Sequence, residues 1–137
     1  MNRRQLLCST ALLAWSCEAH SAAPVDAARK AASEWLSMVD SGDFNGSWER
    51  AASSFKRAVT AQQWTQASMS VRGPLGGVKS RREKAAQETK TLPGAPDGQY
   101  VVIQLETVFE QKSAAVETVI MALDTDGAWR VTGYFVR

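Results

Sequence analysis

The hydrophobic pattern of this chain changes period once, at Gly73-Pro74. Before that point apolar residues recur at helical spacing, and after it they alternate, so helices and strands are segregated along the chain. Val25, Ala28, Ala32, Trp35, Leu36 and Val39 form an i, i+3, i+4 stripe, which predicts an amphipathic helix from Val25 to Ser41 with Gly42 as its stop. Trp48, Ala51, Ala52 and Phe55 predict one shorter helix from Asn45 to Lys56. Thr60 and Gln63 have the spacing of a capping box and open a third helix, which Gly73-Pro74 ends.

Downstream, Val78–Lys90 is polar and reads as an edge strand, followed by a turn-rich loop, Leu92–Gly98. Gln99–Phe109 and Ala114–Leu123 read as strands joined by a turn at Glu110–Ser113, and Asp126-Gly127 turns the chain into a last strand, Ala128–Val136. The expected fold is α+β: about three N-terminal helices packed on a curved, cone-like antiparallel sheet of about four strands. Registering the hairpins puts Val101, Ile103, Leu105, Ile120, Trp129, Val131 and Phe135 on the face beneath the helices. Val102, Glu106, Glu117, Met121, Arg130 and Tyr134 fall on the other face.

Residues 1–23 read as a cleavable export signal ahead of a single domain, 24–137. Arg3 and Arg4 are a positive n-region, Leu6–Ser16 is apolar, and Ala19 and Ser21 have cleavage-site spacing. The Arg pair also fits twin-arginine export, and Ser16-Cys17 fits a lipoprotein site less well because Trp15 is bulky. The expected location is periplasmic or secreted, with membrane contact only during export.

This segment holds both cysteines, Cys8 and Cys17, and the only histidine, His20. The chain beyond it therefore has no means to make a disulfide, a Cys/His zinc site, a Ser-His-Asp triad or a histidine base. An enzyme built from the rest would use Asp, Glu, Lys, Tyr or Arg. Of the 16 Lys+Arg and 14 Asp+Glu in the whole chain, the segment removes Arg3, Arg4 and Glu18, leaving a nearly neutral domain. No cofactor or metal is expected, and the net charge gives no reason to expect nucleic acid.

Several motifs have plainer explanations. Gly73–Ser80 departs from a phosphate loop because Val78 replaces the glycine before lysine, and a helix rather than a strand precedes it. Ser41–Gly46 echoes a calcium loop, but Ala52 stands where its glutamate is needed. Lys79, Arg81, Arg82 and Lys84 read as charge guarding an edge strand, the alternative being a patch for an anionic partner. Without interleaved aromatics the cluster does not suit single-stranded nucleic acid.

Glu106, Glu117, Arg130 and Tyr134 are the candidate polar site, on the expectation that they converge on one sheet face. Two close carboxylates could supply an acid or base, with Tyr134 or Arg130 polarising an oxygen, whereas a cross-strand ion pair with Arg130 is the plainer reading. Glu117, Arg130, Tyr134 and Met121 are the candidate binding residues for a small ligand or protein partner. A homodimer through the sheet is a further possibility. Trp35, Trp48, Trp64 and Trp129 have the spacing of core residues.

Val71-Arg72-Gly73-Pro74-Leu75-Gly76, Leu92–Tyr100, Glu117-Thr118-Val119 and Asp126–Tyr134, together with Trp48, Phe55-Lys56, Val59-Thr60 and Trp64, resemble a bacterial exported family, domain of unknown function 4019. The resemblance spans nearly the whole chain beyond the signal. It implies a small periplasmic or secreted domain and brings no activity with it. The helix-then-sheet order is also similar to nuclear-transport-factor-2-like and cystatin-like domains, whose enzymes often use a histidine that residues 24–137 lack. The function expected from these readings is a non-catalytic binding or interaction module, the alternative being a His-free enzyme with a glutamate base in a cone-shaped pocket.

Overall fold

The computed structural model describes residues 22–137. The residues read as the export signal lie almost wholly outside it. Four helices, α1 (Ala22–Asp40), α2 (Phe44–Glu49), α3 (Ser53–Ala58) and α4 (Ala61–Arg72), precede four strands, β1 (Val78–Thr89), β2 (Tyr100–Phe109), β3 (Lys112–Leu123) and β4 (Trp129–Val136). The strands form one antiparallel sheet in the order β1-β2-β3-β4, so β1 and β4 are its edges. This is the expected α+β arrangement, with one helix more than the periodicity predicts.

The additional helix arises because the segment around Trp48 to Phe55 breaks at Ala51-Ala52. There the Ala52 N–H leaves the helical ladder and donates to Val131 O of β4 over 2.8 Å. Ala52 is the N-cap of α3 and offers no side-chain cap. Asp124, at the end of β3, supplies one instead: it accepts from Ser53 N at 3.1 Å and Ser53 Oγ at 2.7 Å. The Thr60–Gln63 capping box at the head of α4 is present in full. Past α4, Gly76 adopts φ +72°, and a Cβ at Gly77 would come within 2.7 Å of Glu110 Oε1. The Gly-rich segment is thus a close helix-to-strand turn, clipped to the β2–β3 turn by Gln111 N to Leu75 O at 2.9 Å.

The core lies between the helices and the inner sheet face. Ala28, Ala32, Trp35, Leu36 and Val39 of α1 meet Val101, Ile103 and Leu105 of β2, Val119 and Met121 of β3, and Val131 of β4. The β2 face assignment holds, but those of β3 and β4 need correction. The β2–β3 turn is two residues long and a bulge follows Thr107, so Val101 pairs with Met121 and Leu105 with Glu117. A one-residue slip reverses every side chain, and Glu117 and Met121 face inward while Ile120 faces outward. In β4, a bulge between Val131 and Gly133 puts Val131 and Tyr134 on the same inner face and turns Phe135 out. A Cβ at Gly133 would lie 3.2 Å from Ile120 Cδ1 and 3.4 Å from the Phe135 ring, which places all three together on the outer face. One end of that face is covered by Leu92 and Ala95 of the loop, packed on Tyr100 and Ala122.

Candidate functional site

The inner face carries a polar cluster at its centre. Glu117 is fully buried. Its Oε1 accepts from Arg81 Nε at 2.7 Å and from Thr107 Oγ1 at 2.5 Å. Its Oε2 accepts from Arg81 Nη2 at 3.2 Å and from the Tyr134 hydroxyl. Arg81 continues to Asp40 at the end of α1, through Nη1 at 2.8 Å and Nη2 at 3.0 Å. Asp40 also accepts from Arg72 Nη2 of α4 at 2.8 Å, and Arg72 Nη1 approaches the Tyr134 hydroxyl at 3.4 Å. Two carboxylates and two guanidiniums thus close a ring that joins α1, α4, β1, β3 and β4.

Burial raises the Tyr134 phenol well above its ordinary pKa, and the neighbouring Glu117 charge raises it further. Burial alone would raise the Asp40 pKa, but hydrogen bonds from Arg81 and Arg72 outweigh it and hold the carboxyl below its usual value. The same trade keeps Arg81 charged: desolvation lowers its pKa, and hydrogen bonds to Asp40 and Glu117 raise it by more. Glu117 accepts four hydrogen bonds, which fills the acceptor sites of a carboxylate. The Tyr134 proton is committed to it.

The four residues expected to converge do so only in part. Glu117 and Tyr134 meet. Glu106 lies on the outer face, where Arg82 Nε donates to it at 2.7 Å. Arg130 sits at the β3–β4 hairpin, bound to Asp126 at 2.7 Å and Asp124 at 3.2 Å. Met121 belongs to the core floor and, with Arg130, Trp129 and Trp35, lines a separate depression of about 330 Å³. The plainer Arg130 ion pair exists, but its partners are the hairpin aspartates rather than a cross-strand glutamate.

Arg81, Asp40, Arg72 and Thr107 are the members that sequence reasoning missed. The sequence pattern groups Arg81 with the surface charges of β1, yet it points inward, whereas Lys79 and Lys84 stay exposed. A signal for Arg72 was available: Trp64, Ser68 and Arg72 recur every four residues on the buried side of α4. Trp35 and Trp64 are core residues as their spacing implied, and their indoles donate to Ser47 O and Ser47 Oγ at 2.9 Å each. Trp48 and Trp129 pack against the same core from partly buried positions.

Beside the polar ring, a groove of about 240 Å³ runs between α4 and β4, lined by Trp64, Ala67, Ser68, Val71, Arg72 and Tyr134 to Val136. Val71 and Phe135 stand at its margins, 46% and 60% exposed. Ser68 and Arg72 are each more than nine-tenths buried, and their Oγ and Nε atoms have no partner among the described residues.

The architecture is a single-sheet α+β domain whose helices pack on the inner sheet face and, at α3, along the β4 edge, with a self-neutralising ion ring beneath them. The family described as protein of unknown function DUF4019 matches residues 31–134, and the chain belongs to that family. No curated protein and no solved structure matches it.

Proposed function

We propose that this chain is an exported, non-catalytic binding module that meets a protein or small ligand in the periplasm or outside the cell. The observation that carries the reading is the filled acceptor set of Glu117. A general base needs a free lone pair facing substrate, and both oxygens of this carboxylate are occupied by the fold itself. Glu106, the other candidate base, is engaged by Arg82 on the outer face. Polar residues that look catalytic in sequence therefore act as a brace, and an apolar surface stands directly beside them: the α4–β4 groove, with Val71 and Phe135 exposed at its margins. The export half of the proposal rests on the Arg3-Arg4 n-region, the apolar Leu6–Ser16 and the Ala19/Ser21 cleavage spacing.

Two measurements test it. N-terminal sequencing of the cell-envelope or secreted form should begin after Ser21 or Ala23, and an intact Met1 on that form would refute export by a cleaved signal. A photoreactive residue at position 135 should give a discrete adduct in intact cells that the same group at exposed Lys84 does not. Identical adduct patterns from both positions would refute a binding role for this face.

A further inference from the structure

Resting on the binding reading above, we infer that the α4–β4 groove receives an extended, uncharged peptide strand, which adds to the free edge of β4. Three independent features meet there. The first is an open edge. Arg137 and Val116 exchange both main-chain hydrogen bonds, at 2.8 and 3.0 Å, which fixes the alternation along β4. Tyr134, opposite Val119, and Val136, opposite Glu117, are then the non-hydrogen-bonded pairs. Their N–H and C=O groups point away from β3, toward the edge, and among the described residues nothing pairs with them there. Further up, the same edge is closed, by Ala52 N to Val131 O and by the Ser54–Thr132 hydroxyl pair at 2.9 Å. The opening is therefore confined to the stretch that lines the groove.

The second feature is the helix alongside. Because α4 forms the opposite wall, the opening is a slot beside a strand edge, the geometry in which an added strand gains main-chain bonds from the sheet and side-chain contacts from the helix. A second copy pairing symmetrically through β4 would bring two α4 helices onto one face of the same seam, which favours a single strand over a dimer. The third feature is the chemistry of the walls. Trp64, Ala67, Val71 and Val136 suit an apolar side chain, and the Ser68 and Arg72 atoms without partners lie on residues of the same lining. Arg72 is already neutralised by Asp40, and Glu117 by Arg81, so the groove has no net charge to satisfy with a charged ligand. Uncharged main chain with an apolar side chain fits that balance.

The test titrates the purified, ¹⁵N-labelled protein with a blocked pentapeptide of alternating threonine and valine. Hydrogen exchange at the Tyr134 and Val136 amides should slow, with chemical shifts changing at Val71 and Phe135. A version N-methylated at alternate residues, which lacks the donors along one edge, should bind roughly tenfold more weakly. Val136→Pro deletes an edge N–H that no ladder bond uses, and should weaken binding while leaving the Tm unchanged. Equal binding of the methylated peptide, or of the peptide to Val136→Pro, would show an apolar site without strand addition and overturn the inference while leaving the binding role standing. Amide protection that follows protein concentration without peptide would identify a second copy as the occupant and also overturn it. No response of the groove to either peptide overturns it as well, and the crosslink from position 135 then decides the broader reading separately.

Discussion

Arg81 Nε donates to Glu117 Oε1 over 2.7 Å although β2 lies between their strands. The guanidinium crosses above Thr107, the β2 residue opposite Arg81, whose hydroxyl donates to the same carboxylate. An edge strand of mostly exposed residues thus sends one charged side chain into the sheet interior. Charge that would resist burial alone is compensated on both sides of Arg81, by Glu117 within and Asp40 at the rim.

Removing the inner acceptor should therefore be severe. Glu117→Leu leaves Arg81, Thr107 and Tyr134 without their shared acceptor in a buried site, and the expected loss is about 3–5 kcal/mol of unfolding free energy. Urea unfolding followed by tryptophan fluorescence measures it, since Trp35 and Trp64 meet Tyr134 edge-to-face at centroid distances of 5.3 and 6.3 Å. A loss below about 1 kcal/mol would mean that the ring is dispensable.

The stability should have a plateau with two flanks of different origin. On the acid side, hydrogen bonds from Arg130 lower Asp126 from the usual 3.8 to about 2. Asp124, bonded by the Ser53 hydroxyl and backbone, and Asp40 are also lowered. Groups depressed in the folded state contribute fully above their unfolded pKa, so stability should fall as pH drops from about 4 toward 2. On the alkaline side, the Tyr134 pKa is raised above its ordinary 10.0, so the unfolded chain ionises first and stability should fall above about pH 10. Thermal unfolding across pH checks both, and Tyr134→Phe should reduce the alkaline flank while leaving the acid one. An unchanged alkaline slope in that variant would contradict the assignment.

The hairpin aspartate should matter beyond its own turn. Asp124→Ala removes the acceptor at the head of α3 and one partner of Arg130, for an expected cost of about 1–2 kcal/mol. The effect should be local: hydrogen exchange should accelerate in α3 and at the hairpin, with the amides of β2 unchanged. Uniform acceleration through the sheet would instead mean that Asp124 supports the fold as a whole.

Much of this architecture is legible in the sequence because its signals are local. The stripe of α1, the Thr60 capping box, the alternation of β2 and the Asp126-Gly127 turn each depend on neighbours within a few residues. The break between α2 and α3 depends on Val131 and Asp124, some 70 to 80 positions away, and no local pattern announces it. The polar site was half legible for a related reason. Glu117 and Tyr134 stand out in sequence as polar residues in apolar strands, but their face depends on two bulges, and their partners Asp40, Arg72 and Arg81 lie on elements whose packing is set only in three dimensions.

Phe135 separates structural from functional use of the same strand. Its ring lies on the outer sheet face beside Gly133 and Ile120 and is 60% exposed, so little apolar area is removed from water when the chain folds. Phe135→Ser should accordingly change stability by no more than about 0.5 kcal/mol, the range of surface substitutions. A strand added at the β4 edge would set its own outward side chains beside this ring, so the same change removes an apolar contact from the augmented sheet, and the Thr/Val pentapeptide should bind at least roughly fivefold more weakly. Unfolding and titration on one preparation read both quantities. If Phe135→Ser instead costs more than about 1.5 kcal/mol in stability, the ring is part of the packing, and its exposure in the isolated domain says nothing about a partner. If stability and peptide affinity both stay unchanged, Phe135 is an incidental surface residue, and the groove must be read from its α4 wall alone.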